Sequence, residues 1–279
     1  MASIASVFQR YGYRFNRLGL CAAIVILFWI MVALFAPLIL PHPVGKIVDY
    51  DFYGPVSSAF PLGTDYLGRD MLSRILMGTR YTVGISVVAV FLACSIGVCL
   101  GMTAAVTGGW FDTIFSRLMD ALNSIPSKLF GLVVVSGVGS SIPALIMTLT
   151  VIYAPSSYRF ARSLSVNVNT MDFITVARTR GEGTFYLIIS EIFPNILRPV
   201  LADFGLRFVF IVLLLSGLSF LGLGVQPPHA DWGALVRENV GGLSYGAPAV
   251  IFPSLAIASL TISVNILIDN LPQKIRDRS

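Results

Sequence analysis

Long apolar runs, separated by shorter polar stretches, dominate the pattern of this chain. The runs are about 20 residues or longer, the length that an α-helix needs to cross a hydrocarbon core of about 30 Å. The pattern predicts six spanning helices, at Leu18–Leu40, Tyr81–Val106, Thr113–Val138, Ile142–Ala161, Val200–Leu223 and Ala247–Asp269. The third is the least regular, because it contains Asp120, Asn123, Pro126 and Lys128.

Composition supports a membrane location. Hydrophobic residues make up 56% of the chain and charged residues 12%, with a mean hydropathy of +0.82. This leaves too little polar surface for a soluble domain, so we predict an all-α integral membrane protein. The first run is too long for a secretory signal, and we interpret it as a permanent helix. Cys21, Cys94 and Cys99 all fall inside predicted spans, so neither a disulfide framework nor a zinc site is indicated.

The distribution of lysine and arginine predicts the orientation. Five lie in the segments at 41–80 and 224–246, whereas the segments on the opposite side hold twelve. The richer side should be cytoplasmic, which places residues 1–17, the connection at about 163–198, and residues 271–279 inside. Attraction to anionic lipid headgroups accounts for the net charge of +5, so no nucleic-acid partner is required.

A polar segment between the fourth and fifth spans, Asp172–Asn195, has the pattern of a helix, a turn and a helix. No helix breaker occurs in Asp172–Arg180, Gly181 and Gly183 interrupt the pattern, and Phe185–Phe193 resumes it before Pro194 ends it. We expect one compact apolar face that a partner could grip, formed by Phe173, Ile174, Ala177, Phe185, Ile188, Ile189 and Ile192.

This segment resembles the EAA loop of ABC importer permeases. Ala177, Gly181, Ile192 and Pro194 match the family pattern, whereas Thr175 and Val176 replace its usual glutamate and first alanine. The resemblance implies a docking surface for an ATPase that includes Thr175, Ala177, Gly181, Ile192 and Pro194, and it leaves open whether Thr175 replaces the glutamate contact. We call Asp172–Asn195 the EAA-like segment.

Other segments extend the resemblance to the C-type permeases of the dipeptide, oligopeptide and nickel importers. They are Pro61–Arg74, Gly108–Asp112 and Ser219–Gly233. The resemblance implies a type I importer permease with a core at residues 81–270. It also implies a homologous second permease, two cytoplasmic ATP-binding subunits and an extracytoplasmic solute-binding protein.

The two outer segments also have a physical interpretation. Apolar residues of Pro61–Leu76 recur at helical spacing, so residues 41–80 should contain an amphipathic helix on the outer membrane surface. In the second segment, Gln226, Pro227 and Pro228 should end the fifth helix, and Trp232 should be an interfacial aromatic residue.

Polar residues inside the predicted spans are candidates for a polar pathway. Asp120 and Asn123 could line it or have a structural role, and we weigh the two equally. For Asp203 and Arg207, four residues apart, we favour an ion pair near the membrane boundary. Gly97 and Gly101 form a small-residue face that should allow close helix packing.

Candidate enzyme chemistry is weak. Gly242–Gly246 fits the G-x-S-x-G pattern, but it lies between membrane spans, and the two histidines, His42 and His229, are isolated in outer loops. We therefore expect no catalytic, cofactor or metal site. The sequence also lacks the phosphate-binding G-x-x-x-x-G-K-[ST] loop, so ATP would be used by a partner ATPase.

These observations favour a permease subunit that, with a second permease, forms a pathway for peptides or a related small solute. It would lie in the inner membrane with both termini in the cytoplasm. The alternatives are a secondary transporter, or import of nickel or another non-peptide solute by the same kind of ABC system. A membrane enzyme has little support.

Overall fold

The computed structural model describes residues 17–49 and 52–270. The predicted cytoplasmic termini, residues 1–17 and 271–279, lie outside this part of the chain except for Arg17. Within the described ranges the fold is all-α, and extended pairing is limited to two isolated bridges, Ile47 with Arg69 and Thr64 with Asp70. The predicted fold class is therefore confirmed.

Nine α-helices give the described chain its framework. They are α1 (Arg17–Ile39), α2 (Met71–Thr107), α3 (Gly109–Ser124), α4 (Ser127–Val138), α5 (Ile142–Asn169), α6 (Asp172–Thr179), α7 (Phe193–Phe220), α8 (Trp232–Asn239) and α9 (Ile251–Asp269). A helical turn at Thr184–Tyr186 and a π-helix at Leu187–Ile192 lead into α7, and 3₁₀ turns at Val240–Tyr245 and Pro248–Val250 precede α9.

Four helical segments of the described chain are long and apolar enough to span a membrane, and a bent pair would make five. The four are α1, α2, Thr184–Phe220 and Pro248–Asp269. The remaining predicted span lies within α5, which is 28 residues long but carries buried hydroxyl groups at Thr148, Thr150 and Ser157. A helix enclosed by other helices can carry such groups. The count of six remains a prediction.

The prediction of the third span as a single helix is wrong. It consists of α3 and α4, which meet at an angle of 87°. Pro126 follows Ile125, whose backbone is extended (φ −81°, ψ 126°). Proline disfavours helical geometry in the residue before it, and this accounts for the bend.

The closest helix packing occurs between α2 and α5. A Cβ atom added at Gly97 would lie 2.6 Å from Ser157 Cβ and 2.7 Å from Tyr158 N, and one at Gly101 would lie 2.7 Å from Tyr158 O. The two backbones approach so closely that only hydrogen fits between them. The predicted packing role of Gly97 and Gly101 is confirmed.

The other spanning helices pack around this pair. Residues of α7, α8 and α9 share the main apolar core with α2 and α5, and α1 lies at the edge with most of its apolar side chains exposed. Trp29 fastens α1 to α9, because its Nε1 donates a hydrogen bond to Ser259 Oγ at 3.0 Å. Its ring also contacts Trp232 edge to face, with the centroids 4.8 Å apart.

The prediction of an amphipathic surface helix in Pro61–Leu76 is wrong. Residues 61–70 form turns and bridges, and a helix begins only at Met71, where Asp70 caps α2 by accepting hydrogen bonds from the backbone N–H groups of Leu72 and Ser73. The apolar spacing was misleading because the polar residues between these positions, including Asp65 and Arg74, are buried rather than exposed.

The fifth spanning helix also ends earlier than predicted. Gly222 (φ +93°) follows the end of α7, and its N–H donates to Ser219 O while that of Leu223 donates to Leu218 O. These two bonds form a Schellman motif, which favours glycine at the left-handed position. The helix therefore ends at Phe220, before Pro227 and Pro228 are reached.

Replacing Gly97 by alanine should destabilise the protein by about 1–3 kcal/mol, because the added methyl group must separate α2 from α5. Thermal unfolding of the purified protein in detergent measures this. Gly84→Ala is the matched control, since a Cβ at Gly84, also on α2, meets nothing within 4 Å. Equal midpoints for the two variants would contradict the close packing.

Candidate functional site

The first half of the EAA-like segment is α6, which ends at a glycine turn. Gly181 has φ +83°; its N–H donates to Arg178 O at 3.0 Å, and the Glu182 N–H donates to Ala177 O at 3.2 Å. This is again a Schellman motif. The helix and turn predicted here are confirmed, and the Ala177 carbonyl takes part in the turn that Gly181 permits.

One side of the EAA-like segment is buried in the helix bundle. Ile174, Ala177, Leu187 and Ile192 are at most 4% exposed. They form an apolar cluster with residues of α2, α5 and α7, including Val98, Met102, Val106, Ala161, Val168 and Ile196. The EAA-like segment therefore packs against three helices at once.

The predicted composition of that apolar face is partly wrong. Phe173, Phe185 and Ile189 are exposed, while Leu187, which the predicted face does not contain, is buried. Residues Leu187–Ile192 form a π-helix, which has a wider turn than an α-helix and changes which side chains share a face. A prediction based on α-helical spacing could not place them correctly.

Pro194 does not end a helix, contrary to the prediction. It lies at the start of α7, directly after the π-helix, and the helical path continues from Thr184 to Phe220. Proline is tolerated where its missing N–H would lack an α-helical partner, and the change from π to α geometry provides such a place. Pro194 therefore lies at a junction between two helical geometries.

Apolar side chains are exposed on the outer side of the EAA-like segment. Phe185 is 79% exposed, and Phe173, Val176, Tyr186 and Ile189 are also open. Thr175 lies on the exposed side of α6. Several exposed apolar side chains on one short segment are typical of a protein interaction site.

Hydrogen bonds attach α6 to the ends of α5 and α2. Arg178 Nη2 donates to Asn169 Oδ1 at 2.9 Å, and Asn169 Nδ2 donates to Ala105 O at 3.2 Å. The ends of α2 and α5 and the whole of α6 therefore lie at one end of the bundle. This arrangement agrees with the predicted topology.

Asp120 and Asn123 lie on α3 and contact α5. Asp120 Oδ1 is 3.7 Å from Arg159 Nε, with both side chains about 60% exposed, and Asn123 Oδ1 accepts a hydrogen bond from Ser156 Oγ at 3.0 Å. The structure does not bring them to the EAA-like segment. Asp203 and Arg207 form the favoured ion pair within α7, with Arg207 Nη2 2.8 Å from Asp203 Oδ1.

A buried cluster of four charges ties the segment before α2 to α8. Asp65 Oδ2 lies 2.7 Å from both Arg69 Nε and Arg74 Nη1, and Glu238 Oε2 lies 3.0 Å from Arg69 Nη2 and 2.7 Å from Arg74 Nη1. All four residues are nearly or fully buried, and their charges balance. Sequence spacing suggests only the pairing of Asp65 with Arg69, because Glu238 is more than 160 residues away.

Trp232 is not an interfacial residue, contrary to the prediction. It is completely buried, its backbone N–H donates to Thr82 Oγ1 at 3.0 Å, and its Nε1 donates to Ile75 O at 3.2 Å. The preceding Asp231 accepts hydrogen bonds from Ser219 Oγ and from the Val225 and Ala234 N–H groups. Burial raises the pKa of Asp231, although these hydrogen bonds act in the opposite direction.

The two histidines have separate surroundings. His42 Nδ1 is 3.3 Å from Asp70 Oδ2, while the His229 ring packs against Tyr81 with the centroids 5.0 Å apart. Within the described residues no three His, Cys, Asp or Glu side chains are grouped closely enough to hold a metal ion.

Comparisons with known proteins agree with this geometry. Residues 97–277 match the family described as binding-protein-dependent transport system inner membrane component. The glutathione transport system permease protein GsiD of Pectobacterium atrosepticum is 32% identical over 96% of this chain and 90% of its own. The dipeptide transport system permease protein DppC of Haemophilus influenzae is also 32% identical, over 94% of this chain and 90% of its own.

Replacing Glu238 by glutamine should lower the free energy of unfolding by about 3 kcal/mol, because Arg69 and Arg74 would then share the single carboxylate of Asp65 in a buried site. Thermal or denaturant unfolding in detergent provides the measurement. Glu182→Gln is the control, as Glu182 has no ion pair within the described residues. The cluster would have no stabilising role if both variants unfolded like the wild type.

Proposed function

Because the chain belongs to the family of binding-protein-dependent transport system inner membrane components and is a multi-pass permease subunit of an ABC importer, we propose that it works beside a homologous second permease. Two ATP-binding subunits on the cytoplasmic side and an extracytoplasmic solute-binding protein complete the assembly. The second permease and this chain together enclose the pathway, and the remaining apolar surface faces lipid.

The EAA-like segment is the docking site for an ATP-binding subunit. The observation that carries this assignment is its two-sided character: Ile174 and Ala177 are buried among three helices, while Val176 and Phe185 on the same segment are exposed. A subunit bound to the exposed side can therefore move the helix ends directly. ATP binds to that partner, because this sequence contains no phosphate-binding loop.

Each of the predicted docking residues has a distinct part in this proposal. Gly181 and Ala177 form the turn, Ile192 anchors the segment in the bundle, and Pro194 marks the start of α7. Thr175 offers a hydroxyl group on the exposed side, so the partner groove must accept a small neutral side chain at that position.

The docking assignment fixes the orientation. The EAA-like segment then faces the cytoplasm, both termini lie on the same side, and the four-charge cluster and α8 face outward. Lysine and arginine counts support this orientation.

Short peptides are the proposed solute class. Relatives named for glutathione, a tripeptide, and for dipeptides are equally similar to this chain, and both groups of solutes share amide bonds and charged termini. Asp120 and Asn123 are the proposed pathway residues, supported by their exposed polar atoms on the bent span. ATP-driven closure of the ATPases would open and close this pathway by alternating access.

The turn at Gly181 provides a test. Gly181→Val places a β-branched side chain at φ +83°, where it is strained, and should distort the docking surface. Solute-stimulated ATP hydrolysis and uptake by the reconstituted complex should both fall by about tenfold or more, a normal range for coupling energies.

Gly183→Val is the matched control. Gly183 has φ −78°, which valine accepts, and a Cβ at either glycine meets nothing within 4 Å. The control should therefore retain most of the activity. If Gly181→Val behaved like the wild type in both assays, the docking role of this turn would be wrong.

A further inference from the structure

Helices α3 and α5 meet along a line of polar side chains, which we call the polar seam. Its contacts are Asp112 with Arg162, Ser116 with Tyr158, Asp120 with Arg159, and Asn123 with Ser156. From the first contact to the last, the positions rise from 112 to 123 along α3 and fall from 162 to 156 along α5, so the helices are antiparallel. A small apolar cluster around Ala104, Met119 and Tyr158 supports this seam.

The polar seam differs physically from the neighbouring contact of α5 with α2. There Gly97 and Gly101 bring α2 into backbone contact with α5, and any separation would lose close packing. Polar pairs at a partly exposed seam can exchange one partner for water at little cost, since exposed ion pairs contribute only about 0–1 kcal/mol. Helix α5 therefore has one fixed side and one separable side.

Strength is also unequal along the polar seam. Arg162 contacts both oxygens of Asp112 through Nε and Nη2, and these side chains are 35% and 20% exposed. Asp112 also accepts a hydrogen bond from Ser116 Oγ at 3.2 Å. Toward Pro126 each contact is single and exposed: Asp120 and Arg159 are 3.7 Å apart and about 60% exposed, and Asn123 Oδ1 accepts one hydrogen bond from Ser156 Oγ at 3.0 Å. The seam is therefore held by a two-point ion pair at one end only.

The end held by this ion pair lies next to the EAA-like segment. Arg162 is on the last two turns of α5, and only Thr170 and Met171 separate that helix from α6. Gly101 also lies there, since a Cβ on it would be 2.9 Å from Arg162 N. The position of Arg162 is therefore set by the same helix ends that the EAA-like segment contacts.

We propose that Asp112 and Arg162 are positioning residues that make α3 pivot at its first turn when the EAA-like segment moves, while the contacts of Asp120 and Asn123 with α5 open. This inference rests on the proposed function. Opening would turn the polar groups of Asp120 and Asn123 away from α5 during each transport cycle. A covalent link that keeps α3 and α5 together at Asn123 would then stop transport.

A reversible disulfide tests the opening. In a chain with Cys21, Cys94 and Cys99 replaced by alanine, Asn123→Cys and Ser156→Cys place two thiols at a contact that now forms a hydrogen bond. After oxidation, ATP-driven uptake of radiolabelled glutathione and Ala-Ala into proteoliposomes should fall by about tenfold or more. Reduction should restore uptake to the level that the same double variant shows before oxidation, and each single-cysteine variant should respond to neither treatment.

Equal uptake by the oxidised and reduced double variant, with the disulfide verified by mass spectrometry, would overturn the proposal. Failure of the wild-type complex to take up either probe with ATP would count against the proposed function itself, and would remove the premise of this inference. The two failures are therefore distinguishable by the wild-type assay.

The pivot is tested separately by charge exchange. Arg162→Gln should reduce uptake by about tenfold while ATP hydrolysis continues, and the exchange Asp112→Arg with Arg162→Asp should restore uptake. Asp203→Asn is the matched control, because Asp203 and Arg207 form a similar pair within one helix and cannot link two. If Arg162→Gln lost assembly, ATP hydrolysis and uptake together, and the charge exchange restored none of them, the pair would serve folding alone. That result would overturn its positioning role.

Discussion

The backbone contact between α2 and α5 is the constraint on which the rest of the structure depends. Gly97 and Gly101 allow it, and side chains from both helices then form the surfaces on which the other elements pack. At one end these surfaces hold the EAA-like segment; on the flank of α5 they hold α3 through Asp112 and Arg162. Without driving force from water, helices in lipid rely on such close packing, so the EAA-like segment is held on a tightly packed helix pair.

The two ends of the bundle differ: one end buries charged side chains, and the other exposes apolar side chains. At the end that we assign to the outside, four balanced charges and the buried Asp231 and Trp232 fix α8 and the segment before α2. Removing one partner from such a site is strongly unfavourable, so this end is rigid. At the other end, apolar side chains such as Phe185 stay exposed. Under the proposed function, an ATP-binding subunit covers these side chains.

Sequence predicted the features that depend on local chemistry. The hydropathy pattern identified α1 to within one residue at each end, and Gly181 correctly indicated a turn after a short helix. Three errors of prediction share a cause. A prediction from apolar periodicity assumes that the helix has regular α-helical geometry and that charged side chains are exposed. The π-helix at Leu187–Ile192, the bend at Pro126 and the burial of Asp65 with Arg74 each violate one of these assumptions. Glu238, which pairs with Arg69 and Arg74 in the four-charge cluster, is distant from them in sequence, so no local pattern could have indicated it.

The central claim is that an ATP-binding subunit covers the exposed side of the EAA-like segment. Photo-crosslinking from a benzoylphenylalanine at Val176, which is 48% exposed, tests this in the complete complex. Val133 on α4, 73% exposed and outside the EAA-like segment, is the control position. The account predicts a crosslink to the ATP-binding subunit from position 176 and none from position 133. An intact complex that gives no such crosslink at 176, or equal crosslinks from both positions, would contradict it.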